Sequence, residues 1–159
     1  MKFTLDWLKD HLDTSENLNT ITDTLTNIGL EIESVEDKSE IFKNFTVAKV
    51  LKAEKHPDAD KLKVCQVETI NGNYQVVCGA PNARQGMLGI FAPENSYIPG
   101  TDLHLKKTKI RGVESCGMLV SEREMGISDE HDCFIEINDN YKIGDLFSKI
   151  FPIDEPVIE

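Results

Sequence analysis

No run among the 159 residues approaches the ~18 consecutive apolar positions of a membrane-spanning helix. The opening MKFTLDWLKDHLD turns acidic by Asp6 and lacks an apolar centre, so a secretory signal is not expected. The four cysteines, Cys65, Cys78, Cys116 and Cys133, form no CxxC pair and no ligand-spaced cluster with histidine. That excludes a disulfide scaffold and a structural zinc site, and scattered thiols suit a reducing, cytoplasmic setting. Nor is there a GxSxG, P-loop, GxGxxG or HExxH. His56, Asp58 and Asp60 form a small polar cluster, and Cys78 precedes Gly79, but no base is identifiable for that thiol. A stand-alone catalyst is not expected.

What is present is an uneven charge. The chain carries 17 basic and 28 acidic residues, a net −11. Residues 1–40 sum to −7 and residues 112–159 to −9, whereas residues 41–111 sum to +5. A polyanion responds to local potential rather than net charge, so the middle is where one would bind. Residues 104–111, HLKKTKIR, hold Lys106, Lys107, Lys109 and Arg111 with no acid among them. Two readings stay open, a lysine-guarded strand edge and a phosphate-binding stripe.

Hydrophobic spacing predicts a short helix over 4–12 and a second with Leu18, Ile21, Leu25 and Ile28 on one face. Asn17 or Asn19 would cap the second helix, and Gly29 would end it. Residues 30–37 alternate as a half-exposed strand. From about residue 41 the pattern becomes β-rich. Strands are predicted from Phe45 to Ala53, over 62–70, from Tyr74 to Cys78, over 88–92, over 103–110 and over 117–121. Asn71-Gly72 marks a hairpin, and residues 93–100 a loop. Residues 122–131 read as a polar helical turn, 134–137 as a short strand, 142–151 as a helical turn and the tail as the start of a strand. The expected class is mainly β with an α+β flank, a five-stranded OB-type barrel inserted into a partial α+β domain. The expected boundaries are 1–40, 41–150 and 151–159.

Several segments carry a specific resemblance. MKFTLDWLKDHL at 1–12 and LTNIGLEIE at 25–33 resemble the opening of the bacterial phenylalanyl-tRNA synthetase β-subunit family. HPDADKLKVCQV at 56–67, VCGAPN at 77–82 and IRGVESCGMLVSERE at 110–124 resemble its inserted, EMAP-II-like tRNA-binding OB domain. The resemblance implies an N-terminal fragment of a longer subunit, whose first domain resumes after the barrel. It implies a parent that pairs with an α subunit in an α2β2 assembly and joins phenylalanine to tRNA with ATP and Mg2+. It places aminoacylation and editing outside this chain, which would have no cofactor and no catalytic residue of its own.

On that resemblance the partner is tRNA, with no DNA and no membrane. Lys106, Lys107, Lys109 and Arg111 would contact phosphates, with Arg84 from the 79–86 loop opposite them. Ala80, Asn82, Ser115, Met118, Ser121 and Glu122 match the family's positions at the tRNA face. Asn82, Ser115, Ser121 and Glu122 would bond sugar hydroxyls or bases, and Met118 would pack on a base, ribose or core. Lys61 and Lys63 extend the stripe or point to solvent. The aromatics Trp7, Phe42, Phe45, Tyr74, Phe91 and Tyr97 are not interleaved with the basic stretch, so base stacking is not strongly encoded. Weak affinity with little sequence specificity is expected. The main alternative is an assembly module whose basic surface is incidental. A small hydrolase and an oligosaccharide-binding barrel are the others.

Overall fold

The computed structural model describes residues 1–152 and 155–159. Its first unit opens with β1 (Phe3–Thr4), α1 (Leu5–His11), α2 (Leu18–Asn27) and β2 (Val35–Glu36). Each helix starts where a side chain accepts an otherwise orphaned amide. Thr4 Oγ1 accepts from Trp7 N at 3.2 Å, and Asn17 Oδ1 accepts from Thr20 N at 3.0 Å. Gly29 follows α2 with φ of +97°, a conformation that costs a glycine little. Leu5 and Ile21 bury their side chains against Ile158, with Leu8, Leu18 and Leu25 packed around them.

The regular part of residues 30–37 is shorter than the alternation predicts. Glu33 N and Ser34 N both donate to the single carbonyl of Glu159, at 2.7 and 3.2 Å, so the ladder becomes regular only at Val35. The element met there is β13 (Val157–Ile158), which lies between β1 and β2 with Ile158 opposite both Phe3 and Val35. The tail prediction is met at those two residues, while Ile153 and Asp154 lie outside the described residues.

The larger unit begins with α3 (Ser39–Phe42), a single turn too short for periodicity to reveal, which buries Phe42. Strands β3 (Thr46–His56), β4 (Ala59–Thr69), β5 (Gly72–Cys78) and β6 (Leu88–Ala92) follow. Next come β7 (Tyr97–Ile98), β8 (Leu103–His104), β9 (Thr108–Ile110), β10 (Val113–Ser115), β11 (Met118–Leu119) and β12 (Glu136–Ile137). Helix α4 (Phe147–Ile150) precedes β13. The main sheet is antiparallel in the order β11-β6-β3-β4-β5, with β12 also paired to β6.

Strand β3 serves two neighbours. Residues 46–49 pair with β6, and residues 49–56 pair with β4. The register shifts between Val50 and Lys52, leaving Leu51 without a ladder partner on β4, and Val50 also exchanges backbone bonds with Met87 and Gly86 at 2.9 and 2.7 Å. A bulge of this kind bends and twists the strand. The sheet thereby wraps one core built on Phe45, Val47, Ile90, Ile98, Val120 and Phe147 and another on Val50, Cys65, Val67, Val76, Phe91 and Leu119. The outer edge of β5 is covered as well, since Cys116 N donates to Gln75 O at 2.8 Å. Among the described residues the chain is mainly β, with four short helices.

Three local expectations are revised. The 103–110 strand is two strands, because Leu105 turns inward and exchanges backbone bonds with Ser96 and Asn95 at 2.8 and 2.9 Å. Residues 122–131 form turns and no helix, interrupted at Gly126 with φ of +72°. The first long strand runs on past Ala53 to His56, and only Pro57 and Asp58 separate it from β4.

Candidate nucleic-acid interface

The basic stretch is built on a tight hairpin. Ile110 pairs with Val113, leaving Arg111 and Gly112 as the connection with φ of +48° and +85°. Positive φ at both central residues is what a type I′ turn demands, and asparagine or glycine is the usual choice at the first of them. Arginine there is uncommon for a side chain bearing a Cβ. Its guanidinium Nη1 donates to the carbonyl of Asp58 at 3.2 Å.

Lys107 and Lys109 lie two residues apart, the spacing that puts extended-chain side chains on one face. Glu114 of β10 stands opposite Lys109 in the ladder, and its carboxylate holds the Lys107 ammonium at 3.2 Å. That hydrogen bond and charge raise the pKa of Lys107. Lys106 and Lys109 are exposed and in no ion pair among the described residues. Arg84 is exposed too, but its guanidinium is ion-paired with Glu136.

The polar positions are already employed by the fold. The Asn82 carboxamide bridges the Phe134 backbone, donating to its carbonyl at 3.0 Å and accepting from its amide at 3.2 Å. Ser115 is buried, and its Oγ accepts from Val77 N at 3.1 Å. Ser121 is buried against Glu124, whose Oε2 accepts from the Ser121 amide at 2.6 Å and its hydroxyl at 2.9 Å. Glu122 accepts from Ser128 Oγ at 2.6 Å.

A concavity of about 460 Å³ brings Ala80, Met118 and Ser121 together with Cys78, Glu124 and Cys133. None of Arg84, Lys106, Lys107, Lys109 and Arg111 lines it. The concavity at Ala80, Met118 and Ser121 and the basic side chains are thus separate features, while Ser115 belongs to the hairpin itself.

A neighbouring concavity of about 380 Å³ shares Gly79, Ala80 and Pro81 and adds Lys55, Lys61 and Lys63. Lys55 was missed by sequence reasoning. Its signal is the ladder position directly opposite Lys63, a like-charge pair that is unfavourable unless it is screened or used. Lys63 meets part of that cost by donating its ammonium to the carbonyls of Pro81 and Ala83 at 2.9 and 2.7 Å.

The catalytic candidates lack the required surroundings. His56 is 4% exposed with both ring nitrogens bonded to backbone groups. Burial pushes the Cys65 thiol up to about 11 and raises that of Cys78, keeping both thiols protonated near neutrality. Among the described residues no three His, Cys, Asp or Glu side chains are grouped to hold a metal ion. No helix among them is long and apolar enough to cross a membrane.

Comparison with known proteins places this geometry in a family. Residues 45–146 match the family model described as "Putative tRNA binding domain". The chain is 52% identical over 160 residues to the phenylalanine–tRNA ligase β subunit of Brucella abortus, and 53% identical over 161 residues to that of Mesorhizobium japonicum. Each match covers the whole of this chain and 20% of the relative, so the chain spans about a fifth of the curated relatives' length. Among solved structures, a MetRS related protein from Pyrococcus horikoshii is 27% identical with a TM-score of 0.50, the match covering 70% of this chain and 95% of that one. Similar to a fifth of the length of phenylalanine–tRNA ligase β subunits, the chain belongs to the tRNA-binding domain family.

Proposed function

We propose that this chain grips tRNA through its basic hairpin and serves as the tRNA-recruiting part of a phenylalanine–tRNA ligase β subunit. The observation that carries the reading is the β9–β10 hairpin and the two residues leading into it, whose stripe of Lys106, Lys107, Lys109 and Arg111 lies within the family match. Cationic side chains on a turn contact phosphates without reading bases, which suits recognition of a folded RNA by shape. The concavity at Ala80, Met118 and Ser121 would seat a ribose or base beside the hairpin. Asn82, Ser115 and Glu122 would chiefly shape that surface, since their polar atoms already have partners. Arg84 would reach a phosphate after exchanging its Glu136 partner.

The finer architecture belongs to the same proposal. An OB-type barrel follows if the Cys116–Gln75 contact is where the sheet's two ends meet. An α+β unit made of residues 1–40 and 151–159, with residues 41–150 as the inserted domain, is supported by the pairing of β13 with β1 and β2. The whole enzyme would be an α2β2 assembly in the cytoplasm that joins phenylalanine to tRNA. ATP and Mg2+ would supply acyl activation there. Among the described residues no three His, Cys, Asp or Glu side chains are grouped to hold such an ion.

The assembly reading has one observation in its favour. Trp7, Leu12, Ile28, Leu30 and Val35 are exposed apolar side chains on the acidic first unit. Fluorescence anisotropy with bulk tRNA at low and physiological salt separates the two, comparing the wild type with a Lys106/Lys107/Lys109→Ala variant. Wild-type binding should weaken with salt at a log–log slope of roughly −2 to −3, as expected for three neutralised phosphates. The triple variant should lose most of that binding. Equal binding by both proteins, or none by either, would favour assembly.

A further inference from the structure

We propose that His56 is a positioning residue that fixes the tip of the basic hairpin through a closed ring of hydrogen bonds linking the Ile110 carbonyl, the Asp58 backbone and the Arg111 guanidinium. The proposal rests on the tRNA reading above for its consequence, but not for its geometry. His56 Nδ1 lies 3.0 Å from the amide nitrogen of Asp58, and that amide can only donate. Nδ1 therefore carries no proton, which puts the ring's single proton on Nε2. Nε2 lies 2.9 Å from the carbonyl oxygen of Ile110, and a carbonyl can only accept. The two backbone partners together select one neutral tautomer. The ring closes through Arg111, whose Nη1 donates to the carbonyl of the same Asp58.

The last residue of β3 and the two that connect it to β4 have distinct parts in this. His56 closes β3 and supplies the imidazole. Pro57 fixes φ in the connection and needs no partner for an amide hydrogen it lacks. Asp58 contributes backbone only, one amide to His56 and one carbonyl to Arg111. The HPD triplet, a poor acid–base site, is a good mechanical clamp.

The hairpin needs such a clamp. β9 and β10 pair only with each other, through three residue pairs, outside the six-stranded sheet. A two-stranded hairpin alone is marginal in water. Its base is held to β5, where Gln75 Nε2 donates to Glu114 O at 2.8 Å and Ser115 Oγ accepts from Val77 N. Its other end is held by His56 at Ile110 and by Asp58 at Arg111. Without the imidazole the end carrying Lys109 and Arg111 loses its backbone anchor at Ile110, keeps the side-chain bond of Arg111 to Asp58, and samples a wider range of positions. Phosphate binding then has to order it first.

Two substitutions separate the halves of the ring. In His56→Gln the carboxamide nitrogen takes the place of Nε2 and keeps the bond to Ile110. In His56→Asn the carboxamide oxygen takes the place of Nδ1, keeps the Asp58 turn and loses Ile110. The full 159-residue chain is measured in both forms by residue-resolved amide exchange and by tRNA anisotropy across a salt titration. In the Asn variant the amides of residues 109–113 should exchange roughly two- to tenfold faster, the scale of one net hydrogen bond. Amides of β6 should be unchanged. Bulk-tRNA affinity should fall by a similar factor, and the salt slope should become shallower by about one for each cation released. The Gln variant should restore both readouts.

A mere loss of global stability would speed exchange throughout and leave the slope alone. Unchanged exchange at the hairpin in the Asn variant would overturn the clamp, whatever tRNA does. Faster exchange with unchanged affinity, when the triple lysine variant has lost binding, would overturn the positioning role. If the triple lysine variant binds like wild type, the tRNA reading of the stripe fails and the positioning role falls with it.

Discussion

The carboxylate of Glu114 holds the ammonium of Lys107 at 3.2 Å while its own backbone faces Lys109 across the hairpin ladder. That acid therefore damps Lys107 within the basic stripe. Both side chains are about half exposed, so solvent screens the pair and it contributes little to stability. Its larger effect is on any phosphate that must displace it. Glu114→Gln keeps the shape and removes the competitor. Bulk-tRNA affinity at low salt should rise roughly two- to fivefold, and the salt slope should steepen by up to about one. Anisotropy across a salt series checks both, and the gain should shrink as salt rises.

Arg111 occupies a left-handed position that asparagine or glycine fills more easily. A non-glycine residue held there costs on the order of 1–3 kcal/mol. Arg111→Asn should therefore raise unfolding stability by roughly 0.5–1 kcal/mol, after allowing for the lost bond to Asp58. The same variant should bind tRNA more weakly and with a shallower salt slope. Urea denaturation beside anisotropy reads the two effects. A variant that is both less stable and equally tight would show that the arginine is there for packing.

The long strands were legible because their residues obey a period of two and end in strong turn signals, as at Asn71-Gly72. The helices of the first unit were legible from caps and spacing. What escaped was set by tertiary partners. Leu105 breaks the 103–110 strand because a bond to Ser96 draws it inward, and no local pattern announces that. Residues 30–34 are irregular because two amides share the carbonyl of Glu159, over a hundred positions away. At the interface the charges of the stripe were visible, but not Glu114 as the acid that folds back on them. Asn82, Ser115 and Ser121 were identified as polar positions. Their existing partners, Phe134, Val77 and Glu124, are a matter of geometry that a sequence does not display.

Burial, with a smaller contribution from the nearby Cys78, raises the Cys65 thiol from 9.0 to about 11. In the unfolded chain that thiol would ionise near the lower value. A folded value above the unfolded one means that stability is intact below about pH 9 and is lost between about pH 9 and 11. Two pH units correspond to roughly 2–3 kcal/mol. Cys65→Val, similar in shape and unable to ionise, should flatten this part of the stability curve relative to wild type. Denaturation midpoints across the alkaline range provide the check. Alkylation offers a second, since Cys65 is fully buried and half-buried Cys133 should be labelled well before it.

Gly117 joins the hairpin to β11 under two independent constraints. Its φ is +88°, and a Cβ there would lie 2.5 Å from Phe91 Cζ and 2.7 Å from the carbonyl oxygen of Ala92. Phe91 is a buried core residue, and Ala92 is paired with Met118 in the main sheet. Neither neighbour gives way without disturbing β6, the strand on which β3, β11 and β12 converge. Gly117→Ala should destabilise the protein by roughly 2–4 kcal/mol, the left-handed penalty and the overpacking adding together. It should do so without altering the charges of the hairpin. In protein that remains folded at low temperature, the salt slope of tRNA binding should match wild type while the urea midpoint drops. A lowered slope at preserved stability would mean that Gly117 governs the hairpin's direction rather than the packing beneath it.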